Sequence, residues 1–335
     1  MKPSEFKNLI KAIKKSESKR AILIQSSPGV GKTQLCGQVA AELGIGFKAI
    51  HAPLLQPEDY GMPVVHGAKK DQLKFIVSSE KFPLENSDCE DSGIFLIDEL
   101  PQADQSAQKI LANLVQEREI HGHKLKPNWL IVATGNRQSD RAGANRILGH
   151  LGNRVTRLDL ETSLDDWTQW ALSNGVQTEL VAFLRFRPEL LTNYDAKNEI
   201  NATPRAWVEG VGARLGVIDK DMEFSVFAGD VGEGPASEFL AFLKIFRNLP
   251  NPDAILLNPN KVEVPGDPAT LYALCGALVN RVNATNFGAA MTYAERMPPE
   301  FTVLFLKDSS TRCPDVLATK EAIQWLSGAG AGILT

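Results

Sequence analysis

The run Ser26-Ser27-Pro28-Gly29-Val30-Gly31-Lys32-Thr33 has the residue types and order that hold phosphate. It lies between an apolar run, Ala21-Ile22-Leu23-Ile24, and a helical pattern from about Gln34 to Leu43. A phosphate-binding loop requires this strand-to-helix context. Gly29 and Gly31 let backbone N–H groups converge on phosphate oxygens without a Cβ in the way. The helix start behind the loop adds a favourable dipole. Lys32 is expected to reach the β- and γ-phosphates, and the Thr33 hydroxyl to bind Mg²⁺. Pro28, Val30 and Gln34 complete the contact stretch. Ser26 departs from the pattern, since a glycine usually opens the loop. An ordinary strand–helix turn is the plainer alternative.

A second run, Gly93-Ile94-Phe95-Leu96-Ile97-Asp98-Glu99, drives four apolar residues into two adjacent acids. Ligands of α/β sheets bind at such strand ends. Asp98 suits Mg²⁺, held through water, and Glu99 suits the orientation and polarisation of an attacking water. A strand ending in a solvated acidic turn is the alternative, and a phosphate-binding loop upstream weakens it. Ala133-Thr134-Gly135-Asn136-Arg137 follows a third apolar run, and Asn136 at its tip can hydrogen-bond both a γ-phosphate and a water. Arg146, Arg154 and Arg157 form a set from which one cation can be lent to a neighbouring subunit's transition state. Arg154 is the preferred member, with surface arginines in weak ion pairs as the alternative. In Ala202-Thr203-Pro204-Arg205, Thr203 caps a helix and Pro204 opens it, so Arg205 projects from a rigid start and can touch a γ-phosphate in cis.

The elements needed to position these residues are legible. Buried strands are expected at 21–24, 47–50, 94–98, 129–134 and 155–160, with helical patterns between most of them. That alternation means a parallel sheet covered on both faces. Residues 3–17 read as an amphipathic helix bearing Phe6, Leu9, Ile10 and Ile13. Residues 61–82 interrupt the pattern with a hairpin insertion, and Glu119–Leu125 read as a second small hairpin turning at Gly122. Past residue 162 only helices are expected, at 164–172, 178–186, 204–215, 237–246 and 269–282, with a Pro- and Asn-rich loop at 248–267 and a Gly/Ala tail at 327–332. The division is thus 1–161, α/β; 162–220, a helical lid; and 221–335, a helical extension.

Bulk properties narrow the class. The chain has 335 residues, 43% hydrophobic and 23% charged, so a sizeable core can form. With 36 Lys plus Arg against 40 Asp plus Glu, the net charge of -4 argues against a protein that coats nucleic acid. Cys36, Cys89, Cys275 and Cys313 are scattered without a C-x-x-C pair, which fits a reducing, cytoplasmic setting. Neither a signal peptide nor a membrane span is read. His121 and His123 flank Gly122 with no carboxylate or cysteine at ligand spacing, and read as hairpin turn rather than metal site. Lys14, Lys15, Lys19 and Arg20 read as a solvated face, Lys69 and Lys70 as the tip of the insertion, and Trp167, Trp170 and Trp207 as core of the helical part.

In order along the chain, these residues resemble an AAA+ ATPase, most closely the MoxR-like branch. Lys32 and Thr33 match its Walker A motif, Asp98 and Glu99 its Walker B, Asn136 sensor 1, Arg154 the arginine finger and Arg205 sensor 2. Leu54–Gly61 is similar to the branch's segment before its helix-2 insertion, Leu114–Arg118 with Gly122 to its stretch before sensor 1, and Ala133–Asn136 to its A-T-x-N. Gly152-Asn153-Arg154-Val155 stands where L-D-R-F is usual. The resemblance covers about 20–215. It implies a P-loop NTPase fold, an αβα core followed by an all-α lid and a C-terminal helical extension. It also implies ATP with Mg²⁺, and a ring, usually a hexamer, with ATP at the subunit interfaces. The work implied is chaperone-like remodelling or activation of a partner protein, often one with a von Willebrand factor A-type domain. ATP rather than GTP follows from the resemblance, not from a base-reading motif. A slow ATP-dependent assembly switch or scaffold is one alternative. A DNA-handling motor similar to McrB-like translocases is a second, disfavoured by composition.

Overall fold

Alternate side chains of each central strand enter two different cores, which is why these strands read as unbroken apolar runs. The computed structural model describes residues 1–16, 18, 20–65, 73–137 and 149–328. It divides into two units, Met1–Thr162 with Asp195–Lys197, and Ser163–Tyr194 with Asn198–Thr335.

In the first unit, helix α1 (Pro3–Ile13) precedes β1 (Ala21–Ser26), α2 (Lys32–Leu43) and β2 (Gly46–His51). A short helix α3 (Pro57–Tyr60) leads into the hairpin β3 (Met62–Val65) and β4 (Leu73–Ile76). Then come β5 (Ser92–Asp98), α4 (Gln105–Glu117), the small hairpin β6 (Glu119–Ile120) and β7 (His123–Lys124), β8 (Asn128–Asn136), α5 (Gly149–Gly152) and β9 (Val155–Asp159). The main sheet has the order β2-β5-β8-β1-β9, and every pairing in it is parallel. One face carries Leu23, Phe95, Ile97, Ile131 and Ala133 into a core with α4. The other carries Ile22, Ile24, Ile94, Leu96, Leu130 and Val132 into a core with α1 and α2. At the strand starts, Gly46 and Gly93 sit side by side in register with Trp129, leaving room for its buried indole. The indole N–H donates to the Glu90 carbonyl at 2.7 Å.

This order has a consequence for chemistry. β8 lies between β1 and β5, so the end of the asparagine strand falls between the ends of the lysine-loop strand and the acidic strand. Two of the basic residues before β1, Lys14 and Arg20, differ from a solvated face. The Lys14 ammonium bonds Ser92 Oγ and, at 3.0 Å, the Asn128 carbonyl. Arg20 donates to the carbonyls of Asn153 and Val155 at 2.8 and 3.2 Å. Both cations fasten strand beginnings, and partial burial lowers the pKa of Lys14.

The second unit is built of helices α6 (Leu164–Ser173), α7 (Thr178–Phe186), a helix over 204–214 with π-helical turns at Ala206–Gly212, α8 (Glu223–Val231), α9 (Glu233–Arg247), α10 (Pro252–Leu257), α11 (Pro268–Arg281), α12 (Phe287–Ala294), α13 (Pro299–Arg312) and α14 (Lys320–Ser327). The stretch 248–267, expected to be loop, contains α10. Asn251 caps it by accepting the Asp253 N–H at 2.9 Å, and Pro252 occupies its first position. Trp207 packs edge to face with Phe183 and Phe239, and Phe183 meets Phe239 and Phe242 at a tilt, with Trp167 in the same cluster and Trp170 against it. A buried, two-pronged pair joins Arg185 of α7 to Asp308 of α13, with Nη2 to Oδ1 at 2.6 Å. Burial raises the Asp308 pKa, and Arg185 opposes that rise. Among the described residues, no helix is long and apolar enough to cross a membrane.

Candidate functional site

β1 ends at Ser26, and the chain turns through Pro28, Gly29 and Val30 to enter α2 at Lys32. Gly29 and Gly31 have φ of 74° and 88°, the left-handed region that glycine enters at little cost. That bend returns Lys32 to the sheet. Its ammonium donates to Asn136 Oδ1 at 3.0 Å, to Ser26 Oγ at 3.0 Å, and to the carbonyls of Ser27 and Ser26 at 3.1 and 3.3 Å. Lys32 and Asn136 are both only 9% exposed. Val30 is half-buried against the core beside α2, and Gln34 is exposed in that helix's first turn.

The next residue reaches the acids. Thr33 Oγ1 donates to Asp98 Oδ2 at 2.8 Å, and Thr134 donates to the other oxygen of Asp98. Thr134 Oγ1 also accepts the Glu99 N–H at 3.1 Å. One buried hydroxyl on β8 thus fixes both members of the acidic pair. Glu99 itself has φ 55°, a left-handed conformation that costs a non-glycine residue about 1–3 kcal/mol and collects at functional sites. His51, at the end of β2, is directly paired with Asp98 in the sheet. Its Nε2 lies 3.3 Å from Glu99 Oε2 and its Nδ1 3.9 Å from Asp98 Oδ2.

These groups suit a triphosphate with a hard cation. A buried ammonium at the end of a glycine-bent loop suits a phosphate oxygen, and a hydroxyl beside a carboxylate is an oxygen-donor set for Mg²⁺. Residues 22–157 match the family described as the ATPase family associated with various cellular activities (AAA). The chain carries an AAA ATPase domain. ATP hydrolysis is the activity of that domain. No curated protein matches the chain. Among solved structures, NtrX from Brucella abortus is similar at 14% identity, over 91% of this chain and 67% of its own, with a TM-score of 0.40. The Holliday junction branch migration motor RuvB of Thermotoga maritima is 16% identical over 82% of this chain and 80% of its own, with a TM-score of 0.40.

Within the AAA domain the three arginines fare differently. Arg154 is half-buried, and its Nη1 donates to the Ala112 carbonyl of α4 at 3.1 Å. Arg157, on β9, is exposed. Arg146 lies outside the described residues, as do Lys69 and Lys70. Arg205 belongs to the second unit, where Thr203 Oγ1 accepts the Ala206 N–H at 3.2 Å and Pro204 opens the helix as expected. Its exposed guanidinium has Glu209 Oε2 at 4.0 Å from Nε. His121 lies in the turn of β6–β7 and His123 opens β7, and both also hold the insertion. The His121 ring stacks on Phe75 with centroids 4.0 Å apart, and His123 Nε2 is 2.9 Å from the Phe75 carbonyl. Burial, and next the charge of Asp98, push the Cys36 thiol of α2 up to about 12, so it is a core thiol and no nucleophile.

Two residues of the AAA site escaped the sequence reading, His51 and Thr134. Thr134 carried a signal, a hydroxyl ending an apolar strand. His51 became visible only once β2 was placed beside β5. Gly135, next to Asn136, is packed against the Pro101 ring of the turn that follows Glu99. A Cβ there would fall 2.6 Å from Pro101 Cδ and nearer still to Cγ. Gly135→Ala is therefore expected to cost about 1–3 kcal/mol of stability by overpacking. It should also reduce ATP turnover, because Asn136 and Glu99 move apart. Thermal melts and steady-state ATPase assays check this, and a variant with unchanged midpoint and turnover contradicts it.

Proposed function

We propose that the chain is a MoxR-like AAA+ ATPase that works as a Mg²⁺-dependent ring, usually six-membered, to remodel or activate a partner protein in a reducing cytoplasm. The observation that carries the chemical part is the convergence of Lys32, Thr33, Asp98, Glu99 and Asn136 at the ends of three adjacent parallel strands. In this reading the backbone of Pro28 to Thr33, with Gln34, holds the phosphate chain, and Lys32 turns from Asn136 onto the β- and γ-phosphates. Thr33 and Asp98 hold Mg²⁺, which supplies charge neutralisation on the phosphate oxygens. Glu99 takes the proton of the attacking water and Asn136 orients that water. Arg154 steadies the developing charge of a neighbouring subunit's site, and Arg205 reports γ-phosphate to its own lid. A group lent in trans requires a head-to-tail contact, which closes into a ring. Residues 162–220 act as the lid and 221–335 as an extension, and the lid shares one core with α8 and α9.

Partner contact is assigned to the β3–β4 hairpin. Met62, Val65, Leu73 and Ile76 are each more than half exposed on it, and the Phe75–His121 stack anchors its base. A partner bearing a von Willebrand factor A-type domain is the class this reading favours. The test is turnover in mixtures of wild type with Arg154→Ala. Subunits that complete each other's sites should give a loss that departs from the mixing ratio. They should also give activity per chain that rises with protein concentration. A strictly proportional loss, with concentration-independent activity, rules out action in trans. Stimulation by DNA with a steep salt dependence, rather than by a protein, overturns the partner class.

A further inference from the structure

Ser26 stands where loops of this kind open with glycine, and the substitution places a hydroxyl at the centre of the site. The residue is fully buried. Its hydroxyl donates to the Ser27 carbonyl at 2.9 Å, so its lone pairs face the Lys32 ammonium, 3.0 Å away. At least four oxygens then surround an ammonium that has three N–H bonds: Ser26 Oγ, the Ser26 and Ser27 carbonyls, and Asn136 Oδ1. The cradle thus offers the ammonium more acceptors than it has N–H bonds. A glycine at this position leaves both carbonyls and Asn136 in place and removes only the hydroxyl.

We propose that Ser26 is a positioning residue that acts through Lys32, holding the ammonium against Asn136 in the nucleotide-free protein and thereby weakening nucleotide binding. The inference rests on the assignment of Lys32 to the phosphates made above. Each N–H that turns to phosphate gives up a contact made at rest, so a contact made only at rest subtracts from affinity. It also keeps Asn136 Oδ1 engaged until the ammonium leaves.

The sign of the expected effect separates this role from a structural one. Trimming a buried group that merely supports the loop weakens binding, whereas trimming one that restrains the lysine strengthens it. In Ser26→Ala and Ser26→Gly, the Kd for a fluorescent ATP analogue and the KM for ATP should fall together by ~3- to 10-fold, with kcat/KM rising, the scale of one charge-assisted hydrogen bond partly replaced by its neighbours. Ser26→Thr, which keeps the hydroxyl, should show no such gain. Ser26→Gly restores the usual residue of the loop, so it carries the test even if the alanine variant melts early. Unchanged or weakened nucleotide binding in folded Ser26→Gly overturns the proposal. Lys32→Ala measured alongside distinguishes the two levels. If that variant still binds nucleotide like wild type, the phosphate assignment itself has failed. If it does not, a flat response at Ser26 counts against the restraint alone.

Discussion

Lys32→Ala is expected to abolish measurable nucleotide binding. The ammonium is buried beside the ends of β1 and β8, next to a loop bent at Gly29 and Gly31. Its exchange from neutral oxygens to phosphate replaces ordinary acceptors by charged ones, and each charge-assisted hydrogen bond is worth about 1.5–3 kcal/mol. Two such bonds lost together weaken binding by roughly 10²- to 10⁴-fold. Alanine also leaves Ser26 Oγ and Asn136 Oδ1 without their donor, so a stability loss of about 1–3 kcal/mol accompanies the change. Titration with a fluorescent ATP analogue, well below the variant's melting midpoint, isolates the first effect from the second. Affinity near that of wild type in the folded variant removes the phosphate assignment, whatever the fold.

The chemistry was legible where function is encoded locally. A loop that must bend at Gly29 and Gly31 and present Lys32 and Thr33 leaves its mark in consecutive residues. So does an apolar strand that ends in two acids. The parallel sheet was legible because each central strand feeds two cores and so shows an unbroken apolar run. His51 was not legible, since its role depends on β2 lying beside β5 with the two ends level, a long-range pairing with no local mark. The helices α12 and α13 went unread for reasons of packing. α12, FGAAMTYA, is apolar on most of its circumference and has no period to detect. α13 buries Thr302, Asp308 and Ser309 along with Phe301, Phe305 and Leu306, which blurs its apolar stripe. Asp308 belongs inside because Arg185 meets it there, again a partner distant in sequence. α10 was hidden by its Pro- and Asn-rich flanks, which mark a loop in most contexts but here form a helix cap.

Glu99→Gln separates chemistry from binding in the same site. The side-chain amide has nearly the shape of the carboxylate, and the backbone that places it is fixed independently of it. The left-handed turn at residue 99 is held by the N–H bond to Thr134, and Thr134 is held by Asp98. The substitution therefore leaves the Thr33–Asp98 pair, the Lys32 cradle and the loop untouched. An amide cannot take a proton from water, however. General-base assistance contributes about 10²- to 10⁴-fold, so turnover should fall by that factor while nucleotide affinity stays within about threefold. Single-turnover hydrolysis beside equilibrium titration reads the two quantities separately. Turnover preserved within tenfold would mean that another group polarises the water, and His51 then becomes the next residue to change. Loss of affinity in step with turnover would place Glu99 in nucleotide binding and leave the strained turn at residue 99 without the catalytic purpose assigned to it. The expected outcome, full binding with stalled hydrolysis, is also the state in which a ring that assembles on ATP should persist longest. Sedimentation of Glu99→Gln with ATP therefore tests the oligomer and the base in one preparation.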